Sequence, residues 1–222
     1  MDQWQGKESI AVLGAVAHPS EVQILSGLRT GIAIARHNCN LITGATLGVP
    51  YAAAVGAKLA GAVVVGISPA ASREEHIDRY KMPLDYHDVV VYTGMGLEGR
   101  NPLNVRSAKG AIFIGGEFGT LGEFSAAWTT GGNVLGVLEG VGGISSHIQE
   151  IAAQVHSSYG SLVLYDSDPE TLVSRVCEQV HGRCKLRDHA NRASTNGQHV
   201  KEAVWRHLDA NPTLLTNCLE ER

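Results

Sequence analysis

The segment AIFIGGEFGTLGE, residues 111–123, decides the fold class. Its first four residues are apolar with no polar position on either face, the pattern of a strand buried on both sides in a parallel sheet. Gly115 and Gly116 follow at once, and from Leu121 the sequence takes on helical character to about residue 130. A buried strand, a glycine turn and a helix in immediate succession form the repeating unit of an α/β sheet, in which ligands lie beyond the carboxyl ends of the strands. Glycines let the backbone approach a phosphate closely, and the first amides of a helix have no partner inside it. Gly115, Gly116, Gly119 and Thr120 are therefore candidate ligand contacts. The same residues admit a structural reading, because Thr120 and Glu123 spell a Thr-x-x-Glu capping box.

Outward from this segment the chain alternates in the same way. Strands are expected at 10–14, 41–43, 62–67, 89–92, 134–138 and 161–165, each ending near Gly, Ser, Thr or Tyr. Helices are expected after Pro19-Ser20, from Pro50 to about residue 60, after the capping-box spacing of Ser72 and Glu75, over a turn within 100–107, over 145–157, and from Asp168-Pro169 to about His181. The alternation predicts an α/β fold: a Rossmann-like open parallel sheet with helices on both faces. Residues 1–182 form the ligand-binding domain in this reading, and 183–222 a tail with one helix carrying Val200, Val204 and Leu208 on one stripe.

Composition narrows the function classes. The chain has 222 residues and a net charge of −4, so no basic field favours a nucleic acid and a small-molecule partner is expected. The polar start lacks a secretory signal and no stretch is long and apolar enough for a membrane span, which points to a cytoplasmic protein. Cys39, Cys177, Cys184 and Cys218 lack CxxC pairing and read as thiols. The group Cys177, His181, Cys184 and His189 matches no structural zinc spacing, so no metal site is expected.

Two further glycine segments bear on a ligand. The first strand ends on Gly14, and the turn Gly44-Ala45-Thr46-Leu47-Gly48 joins the second strand to its helix. Gly14, Gly44, Thr46 and Gly48 are candidate contacts, with a purely structural tight turn the alternative for 44–48. Gly94 to Gly99 spells GxGxxG, but it does not open the first βαβ unit and leads into Asn101-Pro102, so it is not read as a dinucleotide site.

Residues 115–123 resemble the Pro-Gly-Gly-x-Gly-Thr-x-x-Glu motif of the Lonely Guy-type proteins, a group of Rossmann-like nucleotide binders that has carried a lysine-decarboxylase label. Gly116, Gly119, Thr120 and Glu123 match; Gly115 replaces the proline and Glu117 the second glycine. Gly99-Arg100-Asn101 is similar to the segment that carries the family's catalytic arginine, and the resemblance extends over about residues 9–180. It implies Arg100 and Glu123 as a catalytic pair, with Asn101 beside them, for hydrolysis of the N-glycosidic bond of a nucleoside 5′-monophosphate. It implies a homo-oligomer and no required cofactor. A related branch, the molybdenum-cofactor carrier proteins, binds a phosphorylated pterin without transforming it, and the sequence is similar to that branch as well; the alternative is thus a non-catalytic protein that carries molybdenum cofactor or binds a signalling nucleotide. In that alternative Glu123 chiefly caps its helix. On chemical grounds a carboxylate beneath an anomeric carbon stabilises the cation formed as the bond breaks, and Arg100 can orient that carboxylate or hold phosphate. A carboxylate at Glu117 repels phosphate unless it points away or pairs with Arg100 or Arg106.

Overall fold

A computed structural model describes residues 7–155 and 160–191 together with Arg206, with side chains described only as far as Arg183 in the last helix. The chain divides into two compact units, Met1–His181 and Gly182–Arg222. The Val200, Val204 and Leu208 stripe lies outside the described residues.

Seven strands form the sheet: β1 (Ser9–Gly14), β2 (Asn40–Thr43), β3 (Val64–Ser68), β4 (Val89–Tyr92), β5 (Gly110–Ile114), β6 (Val134–Leu138) and β7 (Leu162–Asp166). Every pairing is parallel and the order is β4-β3-β2-β1-β5-β6-β7. The helices are α1 (Glu21–Arg36), α2 (Val49–Leu59), α3 (Gly96–Gly99), α4 (Asn101–Arg106), α5 (Phe118–Thr130), α6 (Ile148–Gln154) and α7 (Pro169–Asn191). Successive strands move away from β1 to one side as far as β4, and the chain then returns to place β5 on the other. The boundary between β1 and β5 is therefore the switch point at which an open parallel sheet leaves a crevice.

Strand periodicity accounts for the two cores. Ile10 and Val12 of β1, with Ile112 and Ile114 of β5, pack on one face with Ile34, Ala53, Leu172 and Val176 from α1, α2 and α7. Ala11 and Leu13, with Ala111 and Phe113, pack on the other with Val105, Phe124 and Ile148 from α4, α5 and α6. Both faces of β5 are thus buried, as its unbroken apolar run implies. Small residues bring α1 and α2 together: a Cβ at Gly31 would stand 2.0 Å from the Ala53 carbonyl oxygen.

Several helix boundaries differ from the sequence expectation. The last helix continues past His181 to Asn191. Residues expected as one helix from 145 form a 3-10 turn, Ile144–His147, before α6. Ser72 does accept from the Glu75 amide at 3.2 Å, but the Glu75 carboxylate reaches back to the Ala71 amide at 2.7 Å, and a wide π turn follows over Glu75–Arg79. Among the described residues no helix is long and apolar enough to cross a membrane.

Candidate functional site

The crevice at the switch point opens into a cleft of about 340 Å³. Gly14 forms its floor: it pairs in register with Ile114, and a Cβ there would lie 2.1 Å from the Ile114 carbonyl oxygen. Leu13, Val16, Pro50, Met82 and Leu97 supply an apolar wall, large enough to take a planar ring. Of the residues expected from sequence, Gly14, Gly44, Thr46, Arg100, Asn101, Gly119, Thr120 and Glu123 all line this cleft. Gly48, Gly115 and Gly116 are not part of the lining.

Arg100 and Glu123 meet at the base. Arg100 is the junction between α3 and α4, and Glu123 lies one turn into α5. They are 5% and 7% exposed, and the Arg100 Nη1 donates to Glu123 Oε1 at 3.1 Å. Asn104 Nδ2 donates to the same oxygen at 2.9 Å. The Asn104 amide closes a helical turn on the Arg100 carbonyl, which places both side chains toward α5. Burial pushes the Glu123 carboxyl above the usual carboxylate range, opposed by Arg100 and Asn104. Burial likewise lowers the Arg100 guanidinium, opposed by Glu123. Each ion opposes the shift that burial imposes on the other. Among the described residues, the Arg100 Nε and the Thr46 Oγ1 are buried without a hydrogen-bond partner, two polar atoms left unsatisfied at the cleft.

Gly44 is the floor beneath the guanidinium: a Cβ there would be 2.4 Å from Arg100 Nη2. The turn after β5 is held from below. The Gly115 amide donates to Ser145 Oγ at 2.9 Å, and the amides of Ile144 and Ser145 donate back to the carbonyls of Gly116 and Gly115. Gly115 and Gly116 have φ of +61° and +85°, and a Cβ at Gly116 would stand 2.1 Å from Thr120 Oγ1. These glycines shape the turn, while Gly119 and Thr120 face the cleft. Gly48, at φ +71°, turns the chain against the Ala15 carbonyl at the start of α2.

The capping-box reading of Thr120 and Glu123 is overturned. The helix begins at Phe118 rather than Leu121, with Glu117 at its N-cap and no side-chain cap bond. Thr120 is thus its third residue, and Glu123 turns to Arg100 and Asn104. The amides of Phe118, Gly119 and Thr120 have no intrahelical acceptor, the first closing bond being Leu121 to the Glu117 carbonyl at 3.1 Å. Glu117 is exposed at the rim and does not pair with Arg100, whose carboxylate partner is Glu123.

Sequence reasoning missed Asn104, Ser145, Gln23 and Glu98. Asn104 was recoverable, since it stands four residues after Arg100 in a helical stretch. Ser145 and Gln23 meet the Gly115 turn only through tertiary packing, and Glu98 reaches the cleft rim from α3. The GxGxxG segment forms a turn and the four-residue α3, with no long helix behind it. Cys39 and Cys177 are free, buried thiols with Sγ atoms 3.7 Å apart, and His181 Nε2 lies 3.6 Å from Cys39 Sγ. Among the described residues no group of three His, Cys, Asp or Glu is arranged to hold a metal ion.

Comparison with known proteins gives this geometry relatives. A protein of Archaeoglobus fulgidus described as uncharacterized is 34% identical over 125 residues, covering 56% of this chain and 76% of its own. The molybdenum cofactor (Moco) carrier protein of Chlamydomonas reinhardtii superposes with a TM-score of 0.64 at 25% identity, over 80% of this chain and 99% of that one. The molybdenum cofactor binding protein of Rippkaea orientalis superposes with a TM-score of 0.62 at 24% identity, over 78% and 98%. The resemblance to Lonely Guy-type proteins and their molybdenum-cofactor carrier branch is thereby borne out at the level of family and fold. The model of the SLOG cluster4 family matches residues 7–173, and the chain belongs to that family.

Proposed function

We propose that the cleft binds a nucleoside 5′-monophosphate and hydrolyses its N-glycosidic bond, releasing the base and ribose 5-phosphate. The observation that carries this reading is the position of Glu123. A carboxylate spent on capping would face its own helix start, whereas this one is held at the cleft base by Arg100 and Asn104. The phosphate sits at the free amides of Phe118, Gly119 and Thr120, where the helix dipole favours an anion. The base lies on the apolar wall. As the C1′–N bond breaks, its electron pair leaves with the base and positive charge grows on the sugar, facing Glu123. Water then attacks C1′ and gives one proton to the carboxylate, which passes it on to the departing nitrogen. Arg100 and Asn104 fix the carboxylate's orientation and oppose the rise that burial imposes on its pKa.

The test is release of ribose 5-phosphate from a panel of nucleoside monophosphates. Glu123→Gln keeps the side chain's size and its bond to Asn104 while removing the charge, so turnover should fall by about 100-fold or more with the fold intact. Wild-type hydrolysis that is indifferent to this change would remove Glu123 from the reaction.

A second reading is carriage of molybdenum cofactor without chemistry, favoured by what the two superposed relatives are named for. The same amides would take the pterin's phosphate and the same wall its ring. Mass spectrometry of ligand retained through purification separates the readings, since a carrier holds an unaltered pterin and shows no turnover.

A further inference from the structure

The turn that presents Gly44 and Thr46 to the cleft has a backbone its own residues do not explain. Ala45 is fully buried at φ +51°, a left-handed conformation that a residue with a Cβ rarely adopts without support. The support comes from a histidine 42 positions later. The Ala45 amide donates to Thr43 Oγ1 at 3.1 Å, Thr43 Oγ1 is 3.0 Å from His87 Nε2, and His87 Nδ1 is 3.0 Å from the Asp85 carbonyl oxygen.

The order of protons along this chain follows from the groups at its ends. A carbonyl only accepts, so His87 Nδ1 carries the hydrogen and Nε2 the lone pair. The Thr43 hydroxyl then donates to Nε2, which leaves an oxygen lone pair for the Ala45 N–H. Gly66 of β3 makes the arrangement possible, because a Cβ there would lie 2.8 Å from both Ala45 Cβ and His87 Cδ2.

We propose that His87 is a positioning residue of the cleft: its neutral ring orients Thr43, which holds Ala45, which sets Gly44 under Arg100 and Thr46 in the cleft wall. This rests on reading the cleft as the ligand site. Protonation reverses the polarity of Nε2: the ring then donates to Thr43 Oγ1, the hydroxyl hydrogen loses its acceptor and must rotate elsewhere, and the oxygen has to serve two donors at once, which perturbs the geometry that holds Ala45. Burial lowers the ring's pKa below the ordinary 6.5 and the nearby His76 adds to this, against the Asp85 carbonyl and charge, which favour the cation. Asp88, next in the chain, is engaged by Lys58 and the Val64 amide. Because the folded pKa is depressed, the neutral arrangement is intact above about pH 6.5 and is lost as pH falls through the ring's lowered pKa.

The experiment is a nitrogen-15 NMR titration of the ligand-free protein from about pH 7.5 to 5, with adenosine 5′-monophosphate binding measured by calorimetry at both ends. The Ala45 and Thr46 amides should shift with the same midpoint as the His87 ring, and His87→Gln, whose amide oxygen accepts from Thr43 but does not titrate, should flatten both. Wild-type affinity for the nucleotide should fall about ten-fold more than that of His87→Gln over the same range, the variant reporting the phosphate's own titration. Amides that ignore the ring's titration overturn the proposal without recourse to any variant, as do amides that titrate equally in His87→Gln. Amides that follow the ring in a protein that binds no nucleotide at either pH support His87 as the turn's support and overturn the nucleotide reading instead.

Discussion

Removing the guanidinium at position 100 exposes how much of the cleft depends on one ion pair. In Arg100→Met the Glu123 carboxylate, 7% exposed, keeps only the Asn104 amide at 2.9 Å as its donor among the described side chains. Stranding one member of a buried pair costs about 3–5 kcal/mol, mostly because the remaining charge is desolvated without compensation. Burial already raises the Glu123 carboxyl above its ordinary 4.5, and loss of Arg100, which opposes that rise, lifts it further. The sign follows from linkage. A carboxyl with a raised folded pKa lends its full stability below the unfolded value and loses it as pH rises through the folded value. Arg100→Met should therefore approach the wild type near pH 5 and fall furthest behind at pH 8. Glu123→Gln in the same chain removes the stranded charge, and the double variant should recover to within about 1 kcal/mol of the wild type. Urea unfolding of the four proteins at pH 5, 7 and 8 closes the cycle. An Arg100→Met deficit below about 0.5 kcal/mol at pH 8, or one independent of pH, would refute the argument that this pair is a desolvated unit.

The remaining predictions concern the glycine turn and assembly. Gly116→Ala places a Cβ 2.1 Å from Thr120 Oγ1 at φ +85°, so it should lose about 1–3 kcal/mol in urea unfolding and weaken nucleotide binding further by moving Thr120. Glu117→Gly removes an exposed carboxylate beside the helix start; adenosine monophosphate should bind about 3- to 10-fold more tightly at low salt, with the gain shrinking above about 0.3 M as screening takes over. An unchanged affinity would show that Glu117 points away from the phosphate. Sedimentation at micromolar concentration should show a homo-oligomer, as the family resemblance implies, and a monomer would contradict it.

The strands and their parallel class were within reach of the sequence because short apolar runs alternate with helical segments. Ala111 to Ile114 reads as two-faced burial from four residues, and the seven β runs found by alternation all form strands in the sheet. Helix ends were less legible for a physical reason. Leu121 begins the apolar stripe of α5, but the helix itself starts at Phe118, which is 84% exposed and carries no periodic signal. A start set by backbone closure on the Glu117 carbonyl, with no side-chain cap, leaves no mark in residue types.

That displacement of three residues is what separates the two interpretations of the Thr-x-x-Glu spelling. With Thr120 at the N-cap, Glu123 would point back along its own helix axis to the cap amide. With Glu117 there, the same Glu123 lies beyond the first turn, where no orphan amide remains for it, and its carboxylate is free to meet Arg100. The spacing motif alone could not tell these apart, because both use identical residues at identical separations. The difference lies in the bonds that pull Gly115 and Gly116 down onto Ser145 and Ile144 and so end β5's turn early. Those partners come from beyond β6, some thirty residues downstream of the turn, and nothing within residues 111–123 encodes them. The cleft's geometry thus depends on a long-range contact under the glycines, which makes Ser145→Ala a sharper probe of the site than its place outside the cleft lining suggests. Loss of that hydroxyl leaves the buried Gly115 amide unsatisfied, at about 1–3 kcal/mol, and should disturb Thr120 and the α5 amides before it disturbs the sheet.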